Sequence, residues 1–188
     1  MSQTPWKNMP PWEDITVPAA KTPYPLRLGA LIAELDVEGA ARYRPSTVDG
    51  KSKTFCNIYA TDIVRNMGFK APTHWMTSKG EPATMKQGIE QNANAMFNWF
   101  GVHGATYGWW KADLDTAVDA AKRGHLVLAI WKNPQGPGHV AVITGEKDGI
   151  VRISQAGAVN HKDTALGTGF GKKEPDYWIQ AEREGGHT

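Results

Sequence analysis

Lys53-Thr54-Phe55-Cys56-Asn57-Ile58-Tyr59-Ala60-Thr61-Asp62-Ile63-Val64-Arg65-Asn66-Met67-Gly68 is the stretch on which the reading of this chain depends. Lys53 to Phe55 is extended and β-prone, and the residues after Cys56 form an amphipathic helical stretch that Gly68 ends. The chain's only cysteine therefore opens a helix. A thiol there sits in the positive partial field of the helix N-terminus, which favours the thiolate, the form that attacks carbonyl carbon. Far downstream, Gly138-His139-Val140-Ala141-Val142-Ile143 places a histidine at the mouth of a buried strand. A cysteine on a helix start and a histidine on a strand start are the nucleophile and base that acyl transfer requires.

The surroundings of His139 strengthen this reading over that of a buried structural cysteine, the commoner role of a lone thiol. Gly138 permits close backbone approach and leaves space on the substrate side. Small and branched residues alternate along Val140 to Ile143, which holds the imidazole edge rigidly, as proton transfer demands. A third group must orient the ring through its other nitrogen. The next strand, Val151-Arg152-Ile153-Ser154-Gln155, runs back beside the first after a short hairpin, so its far end returns to His139. Gln155 is the leading candidate and Asn160 its rival. The backbone N–H of Cys56 is the expected oxyanion donor, with Asn57 or a neighbouring amide as the second. Tyr43 is a candidate to bring a hydroxyl to the cleft, and His74 and Trp75 to line it.

Composition limits the alternatives. At 188 residues the chain fits one domain with a substantial core. Net charge is +2 and basic residues are scattered, so nucleic acid is not an expected partner. One cysteine cannot form an intramolecular disulfide. No apolar run suits a membrane span, and Met1 to Trp6 does not read as a signal peptide. The expected setting is synthesis in the cytoplasm, and a substrate outside it would be reached by host lysis, holin release or injection. His74, His103, His125, His139 and His161 show no H-x-x-x-H, H-E-x-x-H or C-x-x-C spacing, so neither metal nor cofactor is expected. A zinc site assembled from distant residues is the competing metal reading.

Half of the twelve prolines fall in residues 1–25 with Trp6 and Trp12, which reads as a Pro-rich arm lying against a domain of residues 26–188. Helices are expected near 26–40, at Cys56, over Met85 to Phe100 with Gly101 stopping it, and over Ala112 to Arg123. Tyr43 to Ser52 reads as a polar loop. Strands are expected at His125–Trp131, His139–Thr144, Ile150–Gln155 and Tyr177–Ile179, with a hairpin turn at Gly145 to Gly149. Helices first and a small antiparallel sheet second is an α+β layout.

Thr54-Phe55-Cys56-Asn57-Ile58-Tyr59-Ala60-Thr61-Asp62 together with Gly138-His139-Val140-Ala141-Val142 resembles papain-like cell-wall hydrolases of the NlpC and CHAP types. Arg42-Tyr43, Asn92-Ala93-Asn94-Ala95-Met96, Ala129-Ile130-Trp131-Lys132-Asn133-Pro134 and Ser154-Gln155-Ala156-Gly157-Ala158 look like further elements of a bacterial and phage branch, over residues 28–178. The resemblance implies a papain-like fold and an amidase or endopeptidase cutting peptidoglycan stem peptides. Cys56 is then the nucleophile, His139 the base, Gln155 the third polar residue and Tyr43 a substrate-binding tyrosine. Peptidoglycan is the implied partner, with delivery machinery, a holin or an immunity protein in attendance. The chain departs from the family where Asp-Cys-Ser-Gly is usual: Phe55-Cys56-Asn57-Ile58 stands here, and the upstream glutamine of papain-like proteases is replaced by Gly50-Lys51-Ser52-Lys53. A protein-targeting deamidase or transglutaminase-like effector and a non-catalytic wall-binding module are the alternative functions.

Overall fold

In the computed structural model two 3-10 turns, Pro5–Asn8 and Pro18–Lys21, carry the N-terminal segment to helix α1, Arg27–Leu35. Residues 5–24, 26–48 and 50–180 are described; residues 1–4 and 25 of the expected arm, and 49 (in the expected polar loop) and 181–188 of the expected domain, lie outside them. A hairpin of β1 (Ser46–Val48) and β2 (Lys51–Lys53) precedes α2 (Cys56–Asn66). A second short pair, β3 (Trp75–Met76) and β4 (Ile89–Glu90), leads into α3 (Ala93–His103). Then follow β5 (Trp109–Ala112), α4 (Leu114–Lys122), β6 (Val127–Trp131), β7 (His139–Lys147), β8 (Ile150–Ala156), β9 (Asn160–Ala165), α5 (Leu166–Phe170) and β10 (Asp176–Gln180). The fold is α+β. Its main sheet has six strands in the order β5-β10-β6-β7-β8-β9, and every neighbouring pair is antiparallel.

Both faces of this sheet are covered, which explains the uninterrupted apolar run of β6. Leu128, Ile130, Val140 and Val142 face α2 and α3, while Val127, Ala129, Ala141 and Ile143 pack with residues of α4 and α5. Among the described residues no helix is long and apolar enough to cross a membrane.

Several elements differ from expectation. The helix expected over Met85 to Phe100 begins only at Ala93, because the Asn92 side chain caps it by accepting the Ala95 N–H. Gly101 lies inside that helix, where glycine costs about 1 kcal/mol against alanine but does not end a well-packed element. Ala112 belongs to β5, and Asp113 caps α4 through the Thr116 N–H. Part of the polar loop before Cys56 is the β1–β2 hairpin. β7 continues past a bulge at Gly145, and its turn sits at Asp148–Gly149, both left-handed. The edge strands β5 and β9 extend the sheet beyond the four expected strands.

Helix α2 is buried on nearly every side, Arg65 excepted, so each polar side chain it carries needs a partner. Asp62, fully buried, receives Arg42 Nε at 2.7 Å and Nη2 at 3.0 Å, and the Tyr43 hydroxyl at 2.8 Å. The same guanidinium donates to the carbonyls of Pro10 and Glu13. Asn66 accepts the Val17 N–H and donates to the Ile15 carbonyl. Trp6, Ile15 and Val17 are buried in the same core as α1 and α2. The arm is thus bonded to the helix that begins at Cys56.

Removing one partner of a buried ion pair strands the other charge, at a cost of about 3–5 kcal/mol. Arg42→Met is expected to lose about that much stability in urea unfolding, as a lower midpoint at unchanged slope. A loss under about 1 kcal/mol would show that apolar contacts alone hold the arm to α2.

Candidate active site

Cys56 is the first residue of α2, and its N–H is among those left without an intrahelical acceptor. Cys56 is buried, at 5% exposure, yet borders a groove of about 1110 Å³. Burial pushes it above the ordinary thiol range, while the N–H groups of Val140, Asn57 and Cys56 and the Thr54 side chain oppose that shift. The site therefore keeps the thiol protonated at rest and surrounds the incipient thiolate with donors.

His139 opens β7, one residue before the Val140 N–H that points at the thiol. Its Nε2 lies 2.7 Å from Gln155 Oε1, and Gln155 Nε2 donates to the Val159 carbonyl at 3.3 Å. That second bond sets the direction of the chain. Because the Gln155 NH₂ serves Val159, its oxygen must face the ring and accept a proton from Nε2. Neutral His139 then carries its hydrogen on Nε2 and leaves the Nδ1 lone pair for a proton donor. Phe170 packs on the ring with centroids 5.0 Å apart. Burial lowers the His139 pKa, Gln155 opposes this, and the Lys173 cation, itself 4.8 Å from the Trp131 ring centre, lowers it further. Thiol and imidazole both rest neutral.

Strand alternation assigns the two groups to different sides. Val140 faces α2, whereas His139 lies with Gln155 and Phe170 on the face covered by α5. Cysteine and histidine converge on the first residues of β7 from two sides. Among the described residues no hydrogen bond joins Sγ to the ring; in catalytic pairs such a bond commonly tightens only when substrate binds.

The other expected site residues divide. Asn57 and Trp75 border the groove, and Asn57 Nδ2 donates to the Gln91 carbonyl at 3.2 Å. Tyr43 does not bring its hydroxyl to the cleft: it is enclosed, bonded to Asp62 and set edge-on to Tyr59. His74 is likewise interior, 3.3 Å from both Asp62 Oδ1 and the Ile58 carbonyl. Gln155, not Asn160, is bonded to the His139 ring; the Asn160 amide instead donates to the carbonyls of Val37 and Tyr43 at 2.8 Å each. Among the described residues no cluster of His, Cys, Asp and Glu has the arrangement of a metal site.

Sequence reasoning did not single out Asn94. Its Nδ2 donates to the Asn133 and Gly136 carbonyls and its Oδ1 accepts the Asn133 N–H, which clamps the loop before His139. A Cβ on Gly138 would strike the Asn94 amide oxygen and the Trp131 carbonyl. The glycine thus serves this close approach. Nothing in the spacing of Asn94 from Asn133 announces the contact; only the docking of α3 on the sheet creates it.

Comparison with protein families and with curated proteins gives no match for this chain.

The folded state holds a thiol proton that the unfolded chain releases above about pH 8.5, so stability falls as pH rises past that point. Cys56→Ala is expected to flatten this alkaline limb in denaturant titrations between about pH 8 and 10. An unchanged limb would mean that the thiol is not raised by burial. In the opposite direction the depressed His139 costs stability as pH falls below about 6.5.

Proposed function

We propose that this protein is a papain-like cysteine hydrolase that cuts an amide bond in peptidoglycan stem peptides. The observation that carries the reading is the directed chain from the Val159 carbonyl through Gln155 to His139 Nε2, which leaves Nδ1 as the basic nitrogen, while the Val140 N–H next along β7 points at the thiol that opens α2. Such polarity suits a base, and a pure binding module does not require it.

In the reaction His139 Nδ1 takes the Cys56 proton as Sγ attacks the amide carbonyl. Gln155 stabilises the resulting imidazolium through Nε2–H. The Cys56 N–H holds the oxyanion, Nδ1–H protonates the leaving amine, and a thioester remains. Water, deprotonated by Nδ1, then attacks the thioester and releases the acid with the thiol restored. Arg44 and Lys53 are exposed cations on the groove wall and suit the carboxylates of a stem peptide. A protein-targeting Cys–His effector would use the same steps on another amide, and substrate alone distinguishes the two.

Purified peptidoglycan digested by wild type and by Cys56→Ala, with fragments read by mass spectrometry, tests the reading. Fragments released by wild type alone are expected, and their masses name the bond. Absence of fragments with folded wild type would redirect the assignment to a protein substrate or a binding role. EDTA should leave the rate unchanged; loss restored by zinc would favour a metal amidase. Gln155→Leu is expected to lower kcat by about 10²-fold with KM little altered, because an unoriented ring loses its proton-transfer geometry. Unaltered kcat in that variant would remove Gln155 from the mechanism.

A further inference from the structure

The groove beside Cys56 has a wall that comes from the N-terminal arm. Pro10 to Glu13 form a turn closed by the Glu13 N–H on the Pro10 carbonyl at 3.1 Å, with Pro11 and Trp12 at its corner. Proline in that first corner position presets the backbone. Arg42 then grips both ends of the turn, Nη1 on the Pro10 carbonyl and Nη2 on the Glu13 carbonyl, each at 2.6 Å. The guanidinium is itself locked by Asp62 on α2, so the turn is fixed to the helix that carries the thiol. Pro11 and Trp12 line the groove together with Cys56. Trp12 is 52% exposed, although Trp6 in the same arm is buried.

An indole held at a rigid corner and left half open is a pre-organised flat apolar surface, since little entropy remains to be lost when a ligand covers it. Arg44 and Lys53 supply the complementary charge on the same groove and form no ion pair among the described residues. A stem peptide offers methyl groups, carboxylates and amines, which suit the cations but present no flat apolar face. The pyranose ring to which the stem is attached does.

We propose that Trp12 is a substrate-contact residue that stacks on the sugar of a glycan-linked stem peptide, so that the arm selects glycan-attached over free peptide. This rests on the peptidoglycan reading above. It assigns the arm to the substrate groove.

The test uses full-length Cys56→Ala, which binds without turnover, and calorimetric titration with disaccharide-linked stem peptide and with the same peptide lacking sugar. The glycopeptide should bind more tightly. Adding Trp12→Ala should weaken it by about five- to tenfold and leave the free peptide unchanged. Trp12→Phe should retain most of the affinity, and equal melting temperatures would show that the exposed indole is not structural. Equal loss on both ligands, or no loss on the glycopeptide, would overturn the role of Trp12. If wild type digests peptidoglycan while that selectivity is missing, only this inference fails. If neither ligand binds and nothing is digested, the peptidoglycan reading fails with it.

Discussion

The buried pair of Arg42 and Asp62 is the constraint on which the site depends. Asp62 lies well inside a helix enclosed on almost all sides, where an unpaired carboxylate costs several kcal/mol. Arg42 offsets this with two bonds and uses two of its three remaining N–H groups on the Pro10 and Glu13 carbonyls. Burial disfavours the Arg42 charge, but the bond and charge of Asp62 outweigh it and raise its pKa. Its planar fork suits such divided bonding; a lysine ammonium would serve fewer partners in fixed directions. Through these contacts one side chain joins the arm, the segment before β1 and the helix headed by Cys56.

Around that anchor the chemistry is divided among elements that meet only in space. Helix α2 contributes the thiol and two of the N–H groups at it, β7 the third at Val140 together with the imidazole, β8 the amide bonded to the ring, and α3 the clamp on the loop before His139. Val159, exposed and apolar, matters through its backbone carbonyl, which fixes the Gln155 amide and hence the tautomer of His139. Such a chain is set by backbone position, so side-chain identity at Val159 carries no sign of it. The resting neutrality of thiol and ring has the same origin: enclosure penalises both charged forms, and the donors near Sγ oppose the thiol's share of that penalty.

Tyr43 and His74 show how residue chemistry can mislead. A hydroxyl and an imidazole near Cys56 in sequence read as cleft residues, yet both turn inward, where the buried Asp62 carboxylate takes them as partners. Asn160 offered an amide at plausible range of His139 and instead holds the carbonyls of Val37 and Tyr43. Asn160 opens β9 opposite Ala156, and its amide partners come from the segment between α1 and β1, which strand arithmetic does not contain.

Local rules written in the chain determined that a helix starts at Cys56 and ends before Gly68, that His139 opens a strand, and that the hairpin brings Gln155 back beside it. These depend on helical spacing, strand alternation and the short hairpin, all contained within a few dozen residues. Tertiary structure decided the rest. The polar edge strand β9 is legible only once it pairs with β8, since its sequence has no apolar alternation of its own. The inward turn of Tyr43, the grip of Arg42 on the arm and the approach of thiol and ring from two sides of β7 all follow from long-range packing. They were settled by where buried charge and unpaired backbone groups could find partners, which no local pattern records.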